Sequence, residues 1–443
     1  MFTDGSISLS CRARRIKCDE KKPACTRCDR RGIECRQADF IVHDAQSSLL
    51  QARRPSSAAD RQVHTTQLPG HEPESTNDVV QRVQLGTSYQ PQTPPRTSPC
   101  DLRLSKQCID LVQMYQDGIG TWMDVCDDTL TYQRHVVRLA FSSELLLHSI
   151  CALSAKQMSL VKERYLWEPV AADHYGTSLR LLMRDLDRSD MSRDATLAAA
   201  ILLCSYELLA NPGTDYKKHM LGARTLIQTY KAMNGSTDVE RASFWIFARQ
   251  DVAMAIANET QTLIHPSEWE AAVHKLGSGE DALGNKMVWL LARTVQLRFT
   301  SKSSSNPEQS ARGAREISSA IDQWWCDLPP TTHGVRVEVT SEDGLTEIWF
   351  HAPSTAAAIL YYHMARILLL ELELEDSGTY DEHRPLGPKE GNIHEELESH
   401  ALSIASICLS QHVFEGVRPV AVNPMFYGKS NPRHDDKLRF EPY

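Results

Sequence analysis

The chain has 443 residues, 48 Lys and Arg against 57 Asp and Glu, a net charge of -9 and a hydrophobic fraction of 41%. This composition is typical of a globular protein and excludes a chain that is disordered throughout. The net charge argues against nucleic-acid binding, but residues 11–36 carry ten Lys and Arg against four acids. That window has a net charge of +6 and the remainder -15, which indicates parts with different partners.

Neither a membrane segment nor a secretory signal is predicted. The most apolar stretches, residues 197–204 and 356–370, are too short or are interrupted by His363 and Arg366, whereas a membrane span needs about 20 apolar residues. The first ten residues lack a basic start followed by an apolar run. We therefore expect the scattered cysteines to be buried or reduced thiols of an intracellular protein. They are Cys100, Cys108, Cys126, Cys151, Cys204, Cys326 and Cys408.

The other five cysteines form a cluster at the N-terminal end. They are Cys11, Cys18, Cys25, Cys28 and Cys35. Thiolates at C-x2-C spacing bind one tetrahedral zinc ion readily, and the neighbouring basic residues favour the thiolate form that a metal requires. A disulfide framework is the alternative, which the odd number of cysteines and the lack of a secretory signal disfavour.

An internal duplication underlies the cluster. A shift of 17 residues superposes Cys11 on Cys28 and Cys18 on Cys35. The same shift requires a cysteine at position 8 to match Cys25, and the residue there is Ser8. The duplication thus predicts six ligands, of which the sequence supplies five.

Residues 11–19 (CRARRIKCD), 22–28 (KPACTRC) and 32–35 (GIEC) resemble the fungal binuclear zinc cluster of Zn2Cys6 transcription factors. The resemblance implies two zinc ions held by six cysteines, two of which bridge both metals. Cys25 corresponds to one bridging ligand and Ser8 to the other. Three explanations for Ser8 remain open: an incorrectly assigned N-terminal exon, a hydroxyl or water that completes the site, or a degenerate cluster that no longer binds DNA alone.

The resemblance also implies roles for the basic residues. Residues 12–18 would form a short helix in the major groove, where Lys17 contacts the base edges of a CGG-like triplet. Phosphate contacts, which supply salt-dependent affinity, would come from Arg12, Arg14, Arg15, Lys21 and Lys22. The alternative for these residues is a solvated basic coil or a nuclear localisation signal.

Composition divides the chain into four parts: a zinc-cluster module at 1–36, a linker at 37–99, a helical domain at 100–425 and a polar tail at 426–443. The linker contains seven of the 21 prolines and many Gln, Ser and Thr residues. Such a segment buries too little apolar surface to offset its ordering entropy, so we predict a disordered linker.

Apolar residues recur at helical spacing throughout the third part, and only residues 335–339 alternate as a strand does. The fold class is therefore predicted as all-α: a small zinc-cluster module, a disordered linker and a large helical domain. The predicted helices cover residues 142–161, 171–186, 194–210, 215–233, 241–257, 282–300, 308–327, 352–374 and 389–411.

Residues 141–150 (FSSELLLHSI), 205–208 (SYEL), 219–224 (HMLGAR) and 244–251 (FWIFARQD) resemble the regulatory middle region of fungal zinc-cluster factors. The resemblance implies a nuclear, sequence-specific transcription regulator of RNA polymerase II genes that binds zinc and double-stranded DNA, in keeping with the control of a biosynthetic gene set. Its further expected partners are a second copy of the chain, the transcription machinery or co-regulators, and a small-molecule effector. The alternative is a co-regulator with a degenerate cluster that acts through the helical domain without binding DNA.

Catalytic motifs are absent from the sequence, which contains no G-x-S-x-G, P-loop, G-x-G-x-x-G or H-E-x-x-H pattern. We therefore predict that the protein is not an enzyme. His351, His363 and His400 lie on separate helical runs and are read as capping or partly buried residues. Arg249, Asp251 and Glu259 are expected to form a charge network between helices, and residues 324–325 (WW) to pack in the core.

Overall fold

A computed structural model describes Arg30 and residues 104–429, apart from 189–191, 211–215, 232–236, 302–306, 341–345, 377–387 and 411–413. The described part is built almost entirely of helices. In chain order these are α1 (Lys106–Asp117), α2 (Ile119–Met123), α3 (Val137–Ala140), α4 (Glu144–Val161), α5 (Arg164–Leu186), α6 (Arg193–Ala210), α7 (Tyr216–Lys231), α8 (Asp238–Ala257), α9 (Glu270–Val273), α10 (Glu280–Ser301), α11 (Pro307–Cys326), α12 (Pro353–Asp376), α13 (Pro388–Leu409) and α14 (Arg418–Lys429).

Short irregular helices and two strands complete the described chain. A π-helical turn occupies Thr131–Val136, and 3-10 turns occupy Pro266–Trp269, Pro330–His333 and Glu415–Val417. The strands are β1 (Val335–Thr340) and β2 (Thr346–Trp349).

Several helices begin at side chains that satisfy the free N–H groups of the first turn. Ser105 and Ser143 accept N–H bonds from Cys108 and Leu146 at the starts of α1 and α4. Thr237 and Glu240 form a reciprocal capping box at the start of α8. Each such cap stabilises a helix by about 1 kcal/mol, so the polar residue before each apolar run fixes where the helix starts.

The core is organised around helices that are apolar on most sides. In α6 every residue from 195 to 206 is buried, and α12 is buried over most of its length. A helix without a polar face belongs in the interior, so other helices pack around these two. By length and composition, α12 could span a membrane, but 83% of its apolar window is buried against the rest of the described domain, as expected of a core helix.

One small antiparallel hairpin interrupts the helices. Val335 pairs with Trp349, and Arg336 pairs with Ile348. The sequence predicted the first strand at 335–339 but missed β2, whose four residues are too few to reveal a period of two. The partner strand is therefore specified by pairing and by burial of Ile348, which is 8% exposed.

The predicted all-α class is confirmed, and each of the nine predicted helical segments coincides with a helix of the described chain. The linker at 37–99 lies outside the described residues. The domain limit placed at 425 falls within α14, which continues to Lys429. Ala421 is buried and Met425 is partly buried against the core, and these contacts hold α14 in place.

Candidate functional site

The residues predicted to bind zinc and DNA lie outside the described part of the chain. The metal ligands are Cys11, Cys18, Cys25, Cys28 and Cys35, and the DNA-contacting residues are Arg12, Arg14, Arg15, Lys17, Lys21 and Lys22. Within the segment, only Arg30 is described; it lies in a turn and is exposed. The assignment of these residues therefore depends on their spacing and on family comparison.

The helical domain contains a pocket with a volume of about 210 Å³. It lies where α2, α6, α8, α12 and α14 meet, and most of its lining is apolar. Prominent lining residues are Ile119, Trp122, Met123, Leu208, Leu209, Ile246, Tyr361, Met364 and Val420. Predominantly apolar concave pockets with a few polar groups are typical of small-molecule sites.

Two polar atoms of the pocket's lining residues are buried without a hydrogen-bond partner among the described residues: Gln250 Oε1 and Trp122 Nε1. The amide nitrogen of Gln250 donates to Ser205 Oγ at 2.7 Å, and Ser205 Oγ donates to the carbonyl oxygen of Ile201 at 2.9 Å. These bonds fix the amide and leave its oxygen as an acceptor, while the Trp122 indole is a donor. A ligand that reached these atoms would need a donor for the Gln250 oxygen and an acceptor for the Trp122 indole.

Arg249 lines the pocket, and a backbone carbonyl fixes its side chain. Its Nη2 donates to the carbonyl oxygen of Met123. The neighbouring Asp124 accepts N–H bonds from Tyr132 at 3.0 Å and Gln133 at 2.7 Å, which holds the π-helical turn against α2. Burial raises the pKa of Asp124 to about 7, against the lowering effects of these N–H bonds and of Arg249.

The predicted charge network of Arg249, Asp251 and Glu259 takes a different form. Asp251 accepts N–H bonds from Leu263 at 2.8 Å and from Ile264 at 3.1 Å, and its charged neighbour is Arg224 on α7. Arg249 and Asp251 are therefore not each other's partners. They are two residues apart on α8 and so point to different faces of the helix, which explains the separation.

Two of the three histidines discussed above come together. His363 on α12 and His400 on α13 lie in the core with their Nδ1 atoms 2.8 Å apart. His351, by contrast, contacts Glu280 near the surface. Trp324 is buried and stacks on Tyr362, as core packing predicts. The histidine pair was missed because no short-range spacing links positions 363 and 400.

Comparison with known families matches two parts of the chain. The family model of the fungal specific transcription factor domain matches residues 110–383. That of the fungal Zn(2)-Cys(6) binuclear cluster domain matches residues 9–41. Both models describe parts of transcription factors, one of them a zinc-cluster module, and neither describes an enzyme, in agreement with the predicted class of protein.

The chain belongs to the fungal specific transcription factor domain family. Among curated proteins it is similar to the transcription activator AMTR1 of Alternaria alternata, with 22% identity over 71% of this chain and 57% of the relative. The chain thus spans little more than half the length of that relative. No solved structure matches it. The family resemblance seen in the sequence is confirmed, and the family suggests a nuclear location.

Proposed function

We propose that this protein is a nuclear, sequence-specific transcription regulator that reads CGG-like triplets through an N-terminal binuclear zinc cluster. Its parts are the cluster at 1–36, the linker at 37–99, the helical regulatory domain at 100–425 and the tail at 426–443. The observation that carries the proposal is the cysteine spacing with its 17-residue duplication, in the segment matched by the Zn(2)-Cys(6) family.

The zinc ligands proposed are Cys11, Cys18, Cys25, Cys28 and Cys35, with Cys25 as the bridging thiolate between two ions. Ser8 occupies the position of the second bridge. A structural zinc site of this type supplies about 10–16 kcal/mol toward folding its module, so the missing thiolate weakens the cluster. Ser8 at this position supports a second candidate function. In it the protein is a co-regulator that acts through the helical domain without binding DNA.

DNA recognition is assigned to the basic residues between the cysteines. Lys17 contacts guanine O6 and N7, while Arg12, Arg14, Arg15, Lys21 and Lys22 neutralise phosphates. The net charge of +6 in residues 11–36 suits this surface, and the net -15 elsewhere keeps the rest of the chain away from phosphate. A homodimer would read two such triplets, and recruited co-regulators or transcription machinery would transmit the signal.

The regulated genes are proposed to form one biosynthetic set, and the effect is proposed to be activation. The name of the Alternaria alternata relative, transcription activator AMTR1, supports activation. A reporter gene placed behind the selected DNA site tests the sign directly: expression that rises with this chain supports activation, and expression that falls contradicts it.

The decisive experiment for DNA reading is a binding selection from random duplexes with the full chain. We expect CGG-like triplets to be enriched, and the enrichment to be lost in Lys17→Ala. Lys275→Ala, a matched change at an exposed lysine of the helical domain, should leave the selection unchanged. A wild-type chain that enriches no sequence would contradict DNA reading and favour the co-regulator.

The pocket beside Arg249 is proposed as the site of a small-molecule effector. Its apolar lining and the unpaired Gln250 Oε1 support a compact, largely apolar ligand with an N–H or O–H donor. Indole is a suitable probe because its single N–H can donate to that oxygen. Saturable thermal stabilisation of the full chain by indole is expected.

Gln250→Leu keeps the apolar volume and removes the acceptor, so indole binding should weaken about tenfold, which corresponds to one neutral hydrogen bond. Gln323→Leu, at an exposed glutamine that bonds to Asp327, is the matched control and should bind indole as the wild type does. Equal indole affinity in the Gln250 variant and the wild type would contradict the assignment.

A further inference from the structure

Three helices of the helical domain bring two thiols and an imidazole together, and none of these three residues lines the pocket. Cys108 on α1, Cys151 on α4 and His174 on α5 each offer a ligand atom, and these atoms all lie within 4.8 Å of one another. Cys151 is fully buried, and Cys108 and His174 are partly buried. The three residues are far apart in sequence, so only the packing of α1 on the α4–α5 pair assembles them.

A fourth potential ligand adjoins this group. His148 lies one turn before Cys151 on α4, and its Nδ1 is 2.9 Å from the Nδ1 of His174. The two rings are tilted by 47° with their centroids 4.9 Å apart. Ordinary core packing does not require two imidazoles and two thiols at one point between three helices.

We propose that Cys108, Cys151 and His174 form a zinc site, with His148 beside it. Sulfur and imidazole nitrogen are the ligands that tetrahedral zinc prefers, at about 2.3 Å and 2.0–2.1 Å, and a mixed S/N set selects against Mg2+ and Ca2+. Ligands already within 4.8 Å of one another need only side-chain adjustments to reach those distances.

The site joins α1 to α4 and α5. The helix α1 is the first described helix after the zinc-cluster and linker segments in the chain, so an ion here would fasten the N-terminal edge of the regulatory domain to its core. Because an ion that binds only the folded state adds to the stability of that state, domain stability would follow zinc concentration. This inference is independent of the N-terminal cluster and extends the proposed function to zinc-dependent regulation.

The test measures zinc per full-length chain by mass spectrometry of the element. Cys108→Ser/Cys151→Ser should contain one zinc fewer per chain than the wild type, whatever number the N-terminal cluster holds. The matched control is Cys204→Ser/Cys408→Ser, which also changes one fully buried and one partly buried thiol. The control should keep the wild-type zinc content, and circular dichroism checks that both variants keep their helices.

Cobalt substitution provides a second measurement that needs no core substitution. Full-length Cys18→Ser/Cys28→Ser, with its N-terminal cluster disrupted, should still bind one cobalt ion and show thiolate-to-metal charge-transfer absorption with the strong visible bands of tetrahedral coordination. His174→Asn in that background should lose these bands. Equal zinc content in the Cys108/Cys151 variant and the wild type, or no cobalt bands, would overturn the site, as would a native Cys108–Cys151 disulfide detected by mass.

Discussion

His363 and His400 form a buried pair between α12 and α13, with their Nδ1 atoms 2.8 Å apart and exposed fractions of 8% and 9%. One imidazole must donate while the other accepts, so the pair is satisfied only when at least one ring is neutral. Burial lowers the pKa of His363 to about 3 and that of His400 to about 4. The positive charge of Arg366 lowers the pKa of His400 further. Arg366 itself pairs with Asp322 and Glu396.

The histidine pair predicts acid sensitivity of the helical domain. An unfolded histidine binds its proton near pH 6.5, whereas the folded pair binds one only near pH 3–4, so the unfolded state gains protons first as the pH falls. The pair's contribution to stability is fully present above pH 6.5 and is lost as the pH falls to about 3–4, by up to about 1.4 kcal/mol per pH unit for each histidine. Urea unfolding at several pH values measures this slope.

His363→Leu/His400→Leu should flatten the acid slope and cost little at pH 7.5, because both partners of the hydrogen bond are replaced by apolar groups. His351→Gln, at a histidine near the surface, should keep the wild-type slope. An unchanged slope in the double variant would show that other groups control the acid response.

Gly416, which lines the pocket, has no room for a larger side chain. A Cβ at this position would collide with the carbonyl oxygen of Thr121 on α2, a backbone atom that cannot rotate away. Gly416→Ala should therefore destabilise the domain by about 1–3 kcal/mol. Gly176→Ala, in the middle of α5 with open space around the added methyl, should stabilise it by about 0.5–1 kcal/mol. Thermal unfolding of the two variants should move in opposite directions.

Trp269 is one of the two fully buried tryptophans among the described residues, and its loss should be costly. Its Nε1 donates to the carbonyl oxygen of Ile264 at 3.2 Å, and its ring meets Phe244 and Trp245 edge to face. Trp269→Ala should cost about 3–5 kcal/mol in urea unfolding. Trp349→Ala, at a tryptophan that is 43% exposed on β2, should cost less than about 1 kcal/mol. Similar costs for both would contradict this location of the core.

Ser8→Cys should strengthen the proposed zinc cluster. The 17-residue duplication places a thiolate at position 8, and restoring that ligand should raise zinc affinity at least about tenfold. Ser6→Cys adds a thiol out of register and serves as the matched control. Competition with a chromophoric zinc chelator measures both variants. Equal affinity of Ser8→Cys and Ser6→Cys would exclude position 8 as the missing ligand.

Local pattern determined much of this protein. The 3.6-residue period of apolar side chains placed the predicted helices, since it acts within one helix. The cysteine spacing identified the zinc-cluster family because ligands within one short loop must lie close along the chain. The hairpin partner β2 and the π-helical turn were missed, because pairing with β1 and N–H bonds to Asp124 stabilise them from elsewhere.

The sequence alone determined the helical class and the family, and it predicts the ligands of the N-terminal cluster, because all three depend on neighbours along the chain. The tertiary structure decided which distant residues meet: His363 with His400, and Cys108 with Cys151 and His174. It also decided that the pocket forms where helices from both ends of the domain converge. Helix packing sets these contacts. Because packing depends on how the complete surfaces of two helices fit together, the spacing of residues along the chain does not predict them.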